Sequence, residues 1–121
     1  MPSLNEHKAN YSHNKKLRDS DVFKNSREFL DWSVIILFYE AVHLVEQELA
    51  KHDYHLKSHQ ARNNCVKRTQ PLNEIFNEYN TLYNQSVRAR YNCCKFTEKD
   101  IKDLEAAFSK IETLVNPPVA S

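Results

Sequence analysis

Residues 25–51 read NSREFLDWSVIILFYEAVHLVEQELAK and decide the fold class. Between positions 32 and 45 only Ser33, Glu40 and His43 interrupt the apolar side chains. At the helical period these apolar side chains surround nearly the whole helix, which is typical of a helix contacted by neighbours on several sides. The run is shorter than the about 20 apolar residues that cross a bilayer, and charged residues flank it. The sequence therefore predicts the central helix of a small helical bundle and no membrane span.

A narrow polar strip runs along this central helix. Glu40, His43 and Gln47 fall within one sector, with Ser33 nearby. Such a strip is either a satisfied structural network or the floor of a site. Glu40 and His43 have the Glu-x-x-His spacing that di-iron bundles use on two helices, but the sequence offers no matching second pair. We therefore favour a hydrogen-bonded core network, and we predict no metal site and no cofactor.

Composition points to one all-α domain. The 121 residues suffice for a single modest core, and they include no glycine. Because tight turns and bulges in strand-rich folds usually need glycine, its absence favours helices, with asparagine expected at left-handed cap positions. We expect an antiparallel bundle of four to five helices with its core at about residues 10–115.

The remaining helices follow from caps and apolar spacing. The sequence predicts a first helix within residues 3–23, a loop at 52–57, a third helix of about ten residues capped by Ser58, a fourth opened by residues 69–71, and a fifth capped by Thr97. A pair of prolines ends the fifth helix. The central helix is expected to begin at Asn25, where a glutamate follows three residues later.

The charge distribution and the cysteines indicate which partner and which cellular location to expect. Residues 54–97 carry a net charge of +5, whereas the rest of the chain carries −4, so a polyanion partner is plausible. Cys65, Cys93 and Cys94 are odd in number and lack metal-ligand spacing, so we predict three reduced side chains. With no signal peptide visible, the expected location is cytoplasmic.

Two helices carry basic residues of interest. On the fourth helix Arg90 continues the apolar stripe, whereas Arg88 faces roughly the opposite way. Arg90 therefore either contacts an anion or pairs with a buried carboxylate such as Glu40. His59 and Arg62 share a face at the start of the third helix, which fits either phosphate contact or a solvated basic helix.

Three motifs together resemble the HEPN-domain family, in particular its small stand-alone prokaryotic members. They are DWSVIILFYEAVHLVE (31–46), HLKSHQAR (55–62) and YNTLYNQSVRARY (79–91). The resemblance implies an all-α bundle that often forms homodimers and acts in RNA-related systems, including toxin–antitoxin pairs with small nucleotidyltransferases. Active members are metal-independent endoribonucleases with an arginine followed after four to six residues by a histidine. No histidine follows Arg88 or Arg90 at that spacing here.

The expected function is to bind or process RNA or a nucleotide, in a toxin–antitoxin or defence setting. For a catalytic version we assign phosphate binding to Arg90 and proton transfer to His59 or His43. The candidate substrate-binding residues are Arg62, Arg88, His55, Tyr91 and Glu40. The alternative is a non-catalytic interaction module, for example the helical partner of a small nucleotidyltransferase.

Overall fold

The computed structural model describes residues 3–19, 30–91 and 95–117 and contains no strand within them. These residues form five α-helices and one 3₁₀ turn. The helices are α1 (Leu4–Asp19), α2 (Leu30–Lys51), α3 (His59–Arg68), α4 (Phe76–Tyr91) and α5 (Glu98–Val115), and the 3₁₀ turn is Leu72–Ile75. The all-α class predicted from the sequence is confirmed.

Helix α2 lies at the centre and packs against α1, α4 and α5. Its buried apolar side chains lie on every side of the helix: Val34, Ile36, Leu37, Phe38, Ala41, Val42, Leu44, Val45 and Leu49. Each such leucine, valine or phenylalanine contributes about 1.5–3 kcal/mol when it is fully buried. Side chains from α3, α4 and α5 complete the same core cluster. The start expected at Asn25 lies outside the described residues.

Helix α2 ends in a left-handed cap. Asp53 has φ 62°, and the backbone N–H of Tyr54 donates to the carbonyl of Leu49 at 3.0 Å. The N–H of Asp53 donates to the carbonyl of Ala50 at 3.1 Å, which completes a Schellman motif. The prediction that asparagine takes such positions was wrong at this turn, because aspartate also tolerates the left-handed region.

The predicted caps of α3 and α5 are confirmed. Ser58 Oγ accepts from the backbone N–H of Ala61 at 3.0 Å. Thr97 and Asp100 form a reciprocal capping box, with bonds of 2.9 and 3.2 Å. Together these caps fix where each helix begins, because they satisfy backbone donors that have no partner within the helix.

The fourth helix begins later than predicted. Instead of one helix from Pro71, residues Leu72–Ile75 form a 3₁₀ turn, and α4 starts at Phe76. The N–H of Glu74 donates to the carbonyl of Pro71 at 3.1 Å, the three-residue spacing of a 3₁₀ turn. Leu72 still packs into the core, so the shorter helix retains the predicted apolar stripe.

Two further expectations concern cysteines and membranes. Cys65 carries a free thiol, as predicted, whereas Cys93 and Cys94 lie outside the described residues. None of the helices within residues 3–19, 30–91 and 95–117 combines the length and apolar character that a bilayer crossing requires.

Candidate functional site

The polar side chains along α2 have different hydrogen-bond partners. Glu40 is fully buried, and the Nε atom of Arg18 on α1 donates to both of its carboxylate oxygens at 3.1 Å. Burial raises the pKa of Glu40, and the guanidinium of Arg18 opposes that shift. Gln47 donates from Nε2 to Oδ1 of Asn116 at 2.9 Å. Glu40 therefore pairs with Arg18 and not with Arg90, and no solvent reaches it.

Arg62 joins α3 to α2. Its side chain is only 6% exposed, and Nη2 lies 2.7 Å from Oε1 of Glu46. Its Nη1 donates to Nδ1 of His59 at 3.0 Å. Burial raises the pKa of Tyr79, whose hydroxyl lies beside the Arg62 guanidinium. Arg62, predicted as a substrate-binding residue, thus carries a charge that Glu46 already neutralises.

A second group of polar side chains forms where α1 meets α2. His7 Nδ1 lies 2.8 Å from Oε2 of Glu46 and 3.3 Å from Nδ1 of His43. Burial lowers the pKa of His43, Glu46 opposes that shift, and the neighbouring His7 and Arg62 add to it. We call these three residues the His7–His43–Glu46 cluster. The sequence did not indicate His7, because no local pattern links it to His43 and Glu46, which follow it by 36 and 39 positions.

Arg90 lies on α4 among uncharged groups. Its Nη1 donates to the hydroxyl of Tyr39 at 3.2 Å, and its Nε and Nη2 donate to the carbonyl and hydroxyl of Ser86 at 3.3 Å. The guanidinium carbon lies 5.8 Å from the ring centre of Tyr39 and 5.2 Å from that of Tyr91. Both distances are within the range of cation–π attraction. We call Arg90, Tyr39 and Tyr91 the arginine–tyrosine surface.

His59 contacts Arg62 and lies within electrostatic range of Arg90. Burial lowers its pKa, and the charges of Arg62 and then Arg90 lower it further. Because arginine has no acceptor, Nδ1 of His59 must accept the bond from Arg62. The proton of the neutral ring is therefore on Nε2, which makes that nitrogen a donor.

Of the three catalytic candidates, His43 lies in a different cluster from Arg90 and His59. Arg90 and His59 are close enough to influence each other electrostatically. His43 belongs to the His7–His43–Glu46 cluster, with its Nδ1 3.8 Å from Oε2 of Glu46. The site expected from the sequence is therefore brought together only in part.

The other predicted binding residues lie at the surface. Arg88 is exposed, and its Nη1 donates to Oε1 of Gln85 at 3.0 Å. His55 is exposed, with Nε2 3.4 Å from a carboxylate oxygen of Asp53. Tyr91 is 71% exposed, so its ring is open to a ligand on the side away from Arg90.

No protein-family model, curated protein or solved structure matches this chain. A half-exposed guanidinium beside an exposed aromatic ring can hold a phosphate and stack on a base.

Proposed function

We propose that this chain is a HEPN-like helical protein that binds RNA at the arginine–tyrosine surface. One observation carries the proposal: Arg90 donates to uncharged Tyr39 and Ser86 and to no carboxylate of the described residues. A guanidinium that no carboxylate of the described residues contacts retains donors and charge for a phosphate, which it can bind through two parallel hydrogen bonds.

The exposed ring of Tyr91 adds a second element of recognition. Its centre is 5.2 Å from the guanidinium carbon of Arg90, so a base stacked on the ring would leave its phosphate within reach of that arginine. Stacking on tyrosine contributes about 1–3 kcal/mol per base and depends little on sequence. Unpaired bases in loops and single strands offer the faces that such stacking needs.

Long-range attraction comes from exposed cations of the basic segment. Arg62 is neutralised by Glu46, but the other lysine and arginine side chains of residues 54–97, apart from the half-buried Arg90, are exposed: Lys57, Lys67, Arg68, Arg88 and Lys95. Such charges attract a polyanion and make its affinity fall with salt concentration.

Binding without cleavage is the activity that the tautomer of His59 favours. Cleavage of the family type needs a base that takes the 2′-hydroxyl proton. With its Nδ1 accepting from Arg62, His59 offers Nε2 only as a donor, which suits a phosphate oxygen and not a proton acceptor. We therefore expect no cleavage of a labelled structured RNA in excess EDTA. Cleavage that Arg90→Ala abolishes would instead establish a metal-independent ribonuclease.

The binding proposal is tested by fluorescence anisotropy with a labelled single-stranded RNA. Arg90→Ala should weaken binding about tenfold or more, because a hydrogen bond to a charged group contributes about 1.5–3 kcal/mol. Lys102→Ala is the matched control, since it removes one exposed positive charge from α5. Equal affinity of wild type and Arg90→Ala, or no binding by wild type at low salt, would contradict the proposal.

A second candidate function, a protein-interaction module, is favoured by Trp32. This side chain is 53% exposed, and Ile35 and Tyr39, at helical spacing from it on α2, are only partly buried. The partner would be a second copy of the chain or a small nucleotidyltransferase. Light scattering coupled to gel filtration tests the first option: a dimer that Trp32→Ala dissociates supports it, and a monomeric wild type excludes it.

A further inference from the structure

Three potential metal-ligand atoms meet where α1 packs on α2. The Nδ1 atoms of His7 and His43 are 3.3 Å apart, and Oε2 of Glu46 lies 2.8 Å from the first and 3.8 Å from the second. Within the described part of the chain this is the one group of His, Cys, Asp or Glu side chains with such closely spaced donor atoms. His7 is buried and the other two are half-buried.

These separations fit a tetrahedral zinc ion. Zinc lies about 2.0–2.1 Å from histidine nitrogen and about 2.0–2.2 Å from carboxylate oxygen, so two ligand atoms of a tetrahedral site are about 3.3 Å apart. The three separations in the cluster scatter around that value. An ion about 2.1 Å from all three atoms would lie slightly outside their plane, with a fourth position open.

We infer that the His7–His43–Glu46 cluster is a binding site for a divalent transition-metal ion of the Zn²⁺ type. Two histidines and one carboxylate form the ligand set of open zinc sites, whose fourth ligand is water or another small molecule. This inference is independent of RNA binding, because none of the three residues belongs to the arginine–tyrosine surface.

Hydrogen bonding alone leaves the cluster incompletely satisfied. Neutral histidine provides at most one proton at Nδ1. If that of His7 serves Glu46 at 2.8 Å, the lone pair of His43 Nδ1 at 3.3 Å can only share the same proton. An ion would satisfy both nitrogens and the oxygen together, with the remaining histidine protons on Nε2.

The surrounding residues orient the carboxylate. Arg62 holds Oε1 of Glu46 at 2.7 Å, which leaves Oε2 directed at the two histidines. Such partners of ligand groups commonly change metal affinity by about 10–100-fold. The positive charge of Arg62 also repels a cation, so we expect affinity in the micromolar range and not the much tighter binding of structural zinc sites.

The open position has space beside it. A cavity of about 240 Å³ is lined by His7 and Glu46, together with Tyr54, His55 and Lys57. A water molecule on the ion could occupy this space, and a small anion could exchange with that water. Lys57 would add a favourable charge for such an anion.

Metal binding is measured by calorimetric titration of metal-free protein with Zn²⁺, and by the absorption spectrum with Co²⁺ in its place. We expect one ion per chain, and a Co²⁺ spectrum of tetrahedral type without the thiolate charge-transfer band that cysteine ligands would give. His7→Gln and Glu46→Gln should each weaken the affinity at least about tenfold. His13→Gln is the matched control, because it removes an exposed histidine from the same helix.

The Co²⁺ spectrum of wild type needs no variant, so the inference stays testable even where a substitution disturbs folding. Circular dichroism establishes which variants are folded. A failure of wild type to bind, a thiolate band, or equal affinity in folded His7→Gln and wild type would each overturn the inference. RNA affinity measured in EDTA distinguishes its failure from failure of the proposed function, since that affinity requires no metal.

Discussion

Arg18 and Arg90 both reach the central helix α2, but they meet different groups there. Arg18 contacts Glu40, which is fully buried, through two hydrogen bonds of 3.1 Å. Arg90 contacts the hydroxyl of Tyr39 at 3.2 Å and the ring of the exposed Tyr91. The first arginine neutralises a charge of the core, whereas the second keeps its own charge at the surface.

Only the second of these arginines is available to a ligand. Removing a carboxylate from water costs several kcal/mol, so Glu40 can stay ionised in the core only with a partner that offers charge and hydrogen bonds. Arg18 is committed to that role. Arg90 pairs with no carboxylate among the described residues, so an anion can bind it without breaking an ion pair between those residues.

Loss of the buried pair is the strongest test of this comparison. Arg18→Met should destabilise the protein by about 3–5 kcal/mol at neutral pH, because Glu40 would remain buried without a counter-ion. Urea unfolding followed by circular dichroism measures the change. Arg88→Met, which removes an exposed arginine, should alter stability by less than about 0.5 kcal/mol. Equal effects of the two substitutions would show that the buried pair is unimportant.

The loss of stability in Arg18→Met should depend on pH. Burial raises the pKa of Glu40 in the folded protein, and removing Arg18 should raise it more. Because the folded-state pKa of Glu40 lies above the unfolded value of about 4.3, the contribution of Glu40 to stability is fully present below that pH. It is lost as the pH rises through the folded-state pKa. The cost of Arg18→Met should therefore be smaller at pH 4 than at pH 7, and an equal cost at both would contradict this.

Substitution of Tyr91 should weaken RNA binding and leave stability nearly unchanged, whereas substitution of Arg18 should reduce stability. Tyr91→Ala is expected to weaken binding of single-stranded RNA by about 1–3 kcal/mol through loss of base stacking. Stability should stay within about 0.5 kcal/mol of wild type, since the ring is exposed. Tyr91→Phe, which keeps the ring, should retain most of the affinity. Anisotropy and urea unfolding give the two values, and weak binding by the Phe variant would exclude stacking as the cause.

We expect the smallest change in stability from a substitution at Asp53, away from both arginines. Asp53 holds a left-handed conformation that glycine adopts without strain. Asp53→Gly should therefore stabilise the protein by less than about 1 kcal/mol, measured as a small rise in Tm. Lower stability of this variant would mean that the ion pair between Asp53 and His55 outweighs the backbone term.

Local features of the fold were readable from the sequence, because they depend on nearby residues. The caps at Ser58 and Thr97, the end of α2 and the apolar stripe of α4 all follow from spacing within one helix. The buried strip of α2 was recognised in the same way. Its partners were not, because the meeting of Arg18 with Glu40 depends on how α1 packs on α2, which no local spacing encodes.

The candidate site was only partly predictable for the same reason. The sequence identifies Arg90 as an arginine on an apolar face, and in the structure it lies within electrostatic range of His59. Nothing in the sequence indicated that Arg62 would be used by Glu46 or that His7 would approach His43. Contacts between helices determine which polar residues remain available to bind a ligand, and the sequence does not show those contacts.

Whether Arg90 binds phosphate can be measured from the salt dependence of RNA affinity. The logarithm of the affinity should fall linearly with the logarithm of salt concentration, with a slope of about 0.7 for each phosphate contact to a single strand. We predict that Arg90→Ala lowers the steepness of this slope by about one such contact, while Lys102→Ala leaves it unchanged. The same slope in wild type and Arg90→Ala would contradict the account.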